Sequence, residues 1–173
     1  MPVILVTGVM AAGKSTVAQL LAERLPRSAH VRGDVFRRMT VSGREELLPD
    51  ETPAARAQLE LRYRLSALVA DEYARDGWTA VVQDVVLGDD LPRYVARVRT
   101  RPLYVVVLAP SPAAVRHREA SRAKSGYGPW TVEALDASLR TTPPLGLRLD
   151  TSEQTPEETV SAVLTRLDEA RVA

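Results

Sequence analysis

Val3-Ile4-Leu5-Val6-Thr7-Gly8-Val9-Met10-Ala11-Ala12-Gly13-Lys14-Ser15-Thr16 decides the fold. Five residues of continuous apolar or β-branched character read as a strand buried on both faces, as in a parallel sheet. They run into Gly8 to Ser15, which fits the pattern G-x-x-x-x-G-K-[ST] in full. Beyond it Val17, Leu20, Leu21 and Leu25 recur at helical spacing. A glycine at each end lets the loop adopt angles that other residues resist, so that successive amides point inward at an anion. The helix that follows adds its own N-terminal amides and dipole. Lys14 then reaches the outer phosphates of a nucleotide as a point charge, and the Ser15 hydroxyl is placed to ligate Mg²⁺. The expected ATP cradle comprises Gly8, Met10, Ala11, Ala12, Gly13, Lys14, Ser15 and Thr16. The competing reading, a chance glycine-rich turn, does not explain why the match falls between a buried strand and an amphipathic helix.

Working outward, strand and helix alternate. Ala29 to Arg32 reads as a second strand ending at Gly33-Asp34, and Pro53 to about Arg75 as a long helix with Leu61, Leu65, Leu68, Val69 and Tyr73 on one side. Thr79 to Gln83 is a third strand ending at Asp84, and Leu103 to Leu108 a fourth. Ser111-Pro112 opens a helix with a good cap and proline in the first turn. A weaker helix follows Thr131, and Gly146 to Leu149 is a fifth strand. Thr155-Pro156-Glu157-Glu158 is a capping box opening the last helix. The predicted fold is α/β, a five-stranded parallel sheet with helices on both faces. Ligands of such sheets sit beyond the carboxyl ends of the strands.

The chain has 173 residues, 45% of them hydrophobic and 26% charged, with a net charge of +1. These values suit one globular domain over residues 1–173 and give no reason to expect nucleic acid as partner. No apolar run approaches the ~20 residues of a membrane span, and no leader pattern opens the chain, so a cytoplasmic protein without membrane association is expected. Cysteine is absent, which excludes disulfide and thiolate chemistry. His30 and His117 lack the spacing of a zinc site. Lysine occurs only at Lys14 and Lys124 among 23 basic residues. The sequence uses arginine almost everywhere yet has lysine at Lys14, where a compact ammonium matters.

Carboxylates and arginines at the strand ends supply the remaining chemistry. Asp84, after Ala80-Val81-Val82, has the context of a carboxylate that holds Mg²⁺ together with Ser15; the alternative is a solvated turn residue or helix cap. Asp34 is placed to orient or deprotonate a substrate hydroxyl, or else to cap the helix that begins near Val35. Arg118 and Arg122 lie three and seven residues beyond Val115, on one helical face. With Arg116 they suggest a short lid over about 111–128 that neutralises charge on the transferred phosphoryl group. The alternative is a solvated face with Glu119 paired to Arg116 or Arg122.

Gly8 to Ser15, Gly33-Asp34, Val82-Gln83-Asp84-Val85, the Arg118 and Arg122 lid, and the closing Leu149-Asp150-Thr151-Ser152 with Thr155 to Glu158 resemble the small P-loop phosphotransferases related to chloramphenicol phosphotransferase. That group is similar in turn to gluconate-kinase-like and zeta-toxin-like kinases. The resemblance implies a nucleoside-kinase type of sheet, ATP with Mg²⁺, transfer to a hydroxyl, Asp34 as base, and an Asp150-Thr151-Ser152 loop bordering the adenine. Gln83 departs from it, standing where the chloramphenicol enzymes show a second acidic residue. The expected activity is a small-molecule kinase with Lys14, Asp34, Arg118 and Arg122 as catalytic residues. Alternatives are a nucleotide or sugar kinase binding an anionic acceptor through Arg37, Arg38, Arg44 and Arg64, a nucleotide-binding switch that only hydrolyses, and a nucleic-acid 5′-kinase.

Overall fold

The computed structural model describes residues 1–121 and 127–173. Five strands, β1 (Val3–Gly8), β2 (Ser28–Arg32), β3 (Thr79–Gln83), β4 (Leu103–Leu108) and β5 (Leu147–Leu149), form one sheet in the order β2-β3-β1-β4-β5, every pairing parallel. β1 is the centre. Val3, Ile4, Leu5 and Val6 are fully shielded from solvent, as expected of a strand covered on both faces. Helix α1 (Lys14–Glu23) packs with α7 (Pro156–Thr165), and α3 (Pro53–Arg75) packs with α4 (Asp90–Arg97). Right-handed crossovers place these two pairs on opposite faces. α2 (Gly33–Arg38), α5 (Pro112–Ala120) and α6 (Val132–Thr141) complete the chain order. All five strands point the same way, so their carboxyl ends share one edge, which is where the site lies.

The helix starts follow local chemistry. Thr52, Ser111, Thr131 and Thr155 each accept a hydrogen bond from a first-turn amide, and Thr155 with Glu158 forms the reciprocal capping box.

Two elements differ from the sequence reading. On α3 the large side chains expected inside are on the flank: Leu61, Leu68 and Tyr73 are 42%, 54% and 43% exposed. The buried face is instead Tyr63, Ser66, Ala67, Ala70, Asp71 and Ala74. Alanines let the helix axis approach the sheet closely, and that approach selects the face that leucine periodicity alone would not. α4 occupies a stretch to which the sequence reading assigned no element. Its Leu91 and Tyr94 are buried, Tyr94 meets Tyr63 edge-on at 5.7 Å, and its hydroxyl lies 3.0 Å from Ser66 Oγ.

Candidate active site

The loop between β1 and α1 has the conformation its sequence requires. Gly8 has φ 147°, and a Cβ there would lie 2.5 Å from the Leu108 carbonyl oxygen. Ala11 is held at φ 59° and Gly13 at φ 90°. A non-glycine residue in the left-handed region costs about 1–2 kcal/mol, and left-handed residues set among ordinary ones are the backbone pattern in which successive amides can converge on an anion. The first hydrogen bond of α1 is Val17 N–H to Gly13 C=O at 3.0 Å, so the amides of its first turn precede the helical ladder and face the loop. Lys14 is buried and donates from Nζ to the Val9 carbonyl at 2.6 Å. Ser15 is exposed at the helix start.

Asp84 lies at the carboxyl end of β3, beside this loop, and is completely buried. Its two oxygens accept from Arg62 Nε, at 2.9 Å, and Arg62 Nη2; Oδ1 also accepts from the Val85 amide at 2.7 Å. Burial pushes the Asp84 carboxyl above the ordinary carboxylate range, against the pull of Arg62, the Val85 amide and Lys14. This differs from the expected Mg²⁺-holding carboxylate, because the guanidinium from α3 fills both of its acceptor edges. A metal held from this side falls to the exposed Ser15, which fits that role at the mouth of the nest. Gly33 explains how the two elements meet. A Cβ at Gly33 would stand 1.9 Å from Asp84 Oδ2, so only glycine lets the start of α2 come so near.

Asp34 is inside α2, in its first turn, and makes no cap; Arg32 is the N-cap residue. Its Oδ2 accepts from Arg38 at 2.6 Å, while Arg32 Nε is 3.7 Å from Oδ1. Oδ1 is shielded from solvent and accepts no hydrogen bond. With β3 between β2 and β1, two strand spacings of about 4.8 Å separate the ends of β2 and β1 by roughly 10 Å; Asp34 follows the first and the phosphate loop the second.

Arg118, on α5, donates to Thr151 C=O, to Ser152 C=O at 3.4 Å and to Ala12 C=O at 3.5 Å. It thus joins the phosphate loop to the loop after β5, in place of the open phosphate-facing position expected of it. Arg116 turns instead to Glu133 of α6, on the exposed side of α5, away from its expected role as a nucleotide ligand. Asp150 Oδ1 accepts from the Ser152 amide at 2.9 Å and from Ser152 Oγ, and these bonds hold its carboxyl below the ordinary range. Ser152 Oγ in turn accepts from the Ser111 amide at 2.8 Å. An open pocket between α5 and this loop is lined by Ser111, His117, Arg118, Ser152 and Glu153, in the place expected for adenine. Thr151 is buried, with its hydroxyl unpartnered.

Arg122 and the centre of the expected lid lie outside the described residues. Just beyond them, Tyr127 is buried and donates to Met10 C=O at 2.9 Å, and Trp130 Nε1 donates to Leu47 C=O at 3.0 Å. Both residues couple this part of the chain to the phosphate loop and to the 40–52 loop. Arg62, Tyr127 and Trp130 were not among the site residues expected from sequence. The signal for Arg62 was slight: a polar residue one position before the buried Tyr63 on a long helix.

Residues 3–145 match the model of a family described as an AAA domain, and the chain belongs to that family. Solved structures share the fold over nearly the whole chain. A sugar kinase from a Janibacter species superposes with a TM-score of 0.74 at 21% identity, covering 98% of this chain and 96% of that one. The APS kinase of Mycobacterium tuberculosis, solved with AMPPNP and APS, gives 0.72 at 21% identity over 96% and 97% of the two chains. The tunicamycin resistance protein of Deinococcus radiodurans gives 0.68 at 15% identity over 99% and 98%. Among curated proteins none matches the sequence. Among the described residues no helix is long and apolar enough to cross a membrane.

Proposed function

We propose that residues 1–173 act as one ATP-dependent kinase domain that transfers the γ-phosphate of Mg-ATP to a hydroxyl of a small molecule. The observation that carries this reading is the pairing of a strained, inward-turned phosphate loop with Asp34, whose Oδ1 is shielded and accepts no hydrogen bond. A nucleotide-binding switch has no use for a carboxylate oxygen held ready across the cleft; an acceptor hydroxyl does. The nest and Lys14 hold the β- and γ-phosphates, and Ser15 is the side chain that would ligate Mg²⁺, which supplies charge neutralisation on the phosphate oxygens. Asp34 orients the acceptor hydroxyl. As oxygen attacks the γ-phosphorus in line and the bond to the β-bridging oxygen breaks, the hydroxyl proton passes to Oδ1 and ADP departs. Arg38 keeps the Oδ2 edge of that carboxylate fixed, while Arg32 Nε stands 3.7 Å from Oδ1. Arg118 ties the base-side loop to the phosphate loop, and the Asp150-Thr151-Ser152 turn borders the base.

The test is ADP release from purified protein with Mg-ATP across a panel of hydroxyl compounds, with ATP binding followed by calorimetry. Acceptor-dependent release, lost in Asp34→Asn while ATP binding persists, is expected. ATP hydrolysis unaffected by every acceptor overturns the kinase reading in favour of a switch.

A further inference from the structure

Side chains hold the peptide carbonyls of the phosphate loop. Lys14 donates to Val9 C=O at 2.6 Å, Tyr127 to Met10 C=O at 2.9 Å, and Arg118 to Ala12 C=O at 3.5 Å. Within one trans peptide the carbonyl and the N–H point in opposite directions. A donor on the Met10 carbonyl therefore fixes where the Ala11 N–H points. Ala11 has φ 59°, a conformation that an L-residue disfavours. Rotating the Met10–Ala11 peptide would return Ala11 to negative φ and turn its N–H to the side where Tyr127 stands. That peptide has two arrangements, and the Tyr127 hydroxyl holds it in the strained one.

Tyr127 is one end of a tight turn. Trp130 N–H donates to Tyr127 C=O at 2.9 Å, Gly128 between them has φ 52°, and the ring of Pro129 fixes its own φ. Tyr127 is buried, and Trp130 packs against the core. At the other end of the turn, the indole N–H of Trp130 donates to Leu47 C=O at 3.0 Å. Leu47 belongs to the 40–52 loop, which contains no helix or strand and lies along α3, where Gln58 accepts from the Glu45 amide at 3.0 Å and donates to Gly43 C=O at 2.8 Å. Four residues thus reach from a carbonyl of the phosphate loop to a carbonyl of the loop on the Asp34 side, through two side chains that carry no charge.

Resting on the kinase reading above, we propose that Tyr127 is a positioning residue: its hydroxyl presents the Ala11 N–H to a nucleotide phosphate, and the 127–130 turn couples nucleotide binding to the hold of Trp130 on the 40–52 loop. A phosphate on the Ala11 N–H favours the peptide orientation in which the Met10 carbonyl faces Tyr127. The Tyr127 bond, so stabilised, fixes the turn and strengthens the bond from Trp130 to Leu47. By linkage the same coupling runs in reverse, from the 40–52 loop to the nucleotide.

The two tryptophans supply the test. Their indole N–H groups give separate signals in nitrogen-edited NMR, and Trp78 stands at the opposite edge of the sheet, before the start of β3, bonded to Asp76. In the parent chain, saturating Mg-AMPPNP should slow solvent exchange of the Trp130 indole N–H about tenfold, the size of one hydrogen bond, and leave Trp78 unchanged. Tyr127→Phe removes one hydroxyl and keeps the ring. It should bind Mg-AMPPNP about tenfold more weakly in calorimetry and, once saturated, show no slowing at Trp130. Nucleotide binding by the parent without a change at Trp130 overturns the inference and leaves the kinase reading standing. Slowing that survives in Tyr127→Phe, or binding there at the parent affinity, does the same. Absence of Mg-AMPPNP binding by the parent overturns both. If Tyr127→Phe fails to fold, the exchange at Trp130 in the parent decides alone.

Discussion

Replacing Arg62 by methionine isolates the buried ion pair at the centre of the site. Methionine keeps the length and most of the volume of the arginine stem, so the packing of α3 against the sheet is little changed. It does remove the partner of both oxygens of Asp84, a carboxylate with no solvent exposure. Breaking a buried pair in this way costs about 3–5 kcal/mol, because the remaining charge has neither water nor a counterion. For a chain of this size each kcal/mol lowers Tm by about 2–4 °C, so a fall of about 6–20 °C is expected. Salt should not restore it, since screening acts on exposed charges. The sign of the pH dependence also follows. Burial already raises the Asp84 carboxyl, and without Arg62 it rises further. A raised folded-state value makes the stabilisation largest at low pH and lost as pH rises through that value, so Arg62→Met should lose most relative to the parent at neutral and alkaline pH. Calorimetric and urea unfolding of Arg62→Met, Asp84→Asn and the double variant test this. The double variant, with both charges gone, should be more stable than Arg62→Met alone. A loss under about 1 kcal/mol in Arg62→Met, of the size expected of an exposed pair, would refute the argument.

Four further outcomes are expected. Gly33→Ala sets a Cβ 1.9 Å from Asp84 Oδ2 and should destabilise by at least the 1–3 kcal/mol typical of roughly one methyl too many, read from urea unfolding. Lys14→Ala should weaken Mg-ATP binding in calorimetry and abolish turnover. Asp34→Asn should leave ATP binding near the parent value while transfer falls by about 10²–10⁴; transfer at the parent rate would remove Asp34 from the chemistry. Ser152→Ala should raise the Asp150 carboxyl toward its ordinary value, measured by carboxyl-carbon NMR. The native carboxyl is held low, so its contribution is present above the ordinary carboxylate range and lost as pH falls through the folded value; the variant narrows that window from the acid side.

Local signals were legible in the sequence. The phosphate loop, the caps at Ser111 and Thr155, and all five strands depend on residues within a few positions of one another, and each forms where sequence expects it. Distant partnerships were not. Asp84 looked like an available carboxylate because nothing local reveals that a guanidinium 22 residues earlier reaches both of its oxygens. Arg116 looked like a phosphate ligand because Glu133, its partner, belongs to the next helix. On α3 the leucines carried the stronger periodicity, yet close approach to the sheet favoured Ala67, Ala70 and Ala74. α4 was hidden by Pro92 in its first turn and by the charges around it, although Leu91, Tyr94 and Val98 carry the spacing of a buried stripe.

The Arg62–Asp84 pair also bears on both sides of the cleft. A lone buried carboxylate next to the phosphate loop would oppose a polyphosphate and invite a dication by itself. Paired with Arg62 it does neither, so the attraction for phosphate comes from the inward amides, the start of α1 and Lys14. Lys14 lies close enough to Asp84 to pull on its carboxyl, which links the two halves of the cleft electrostatically. On the far side, the same guanidinium lines the cavity between the 40–52 loop and α3 while paired with Asp84. One arginine on α3 thus neutralises the buried carboxylate beside the phosphate loop and lines the cavity on the far side. On the kinase reading proposed above, a polyphosphate is held by the loop amides and Lys14, with Asp84 occupied by Arg62.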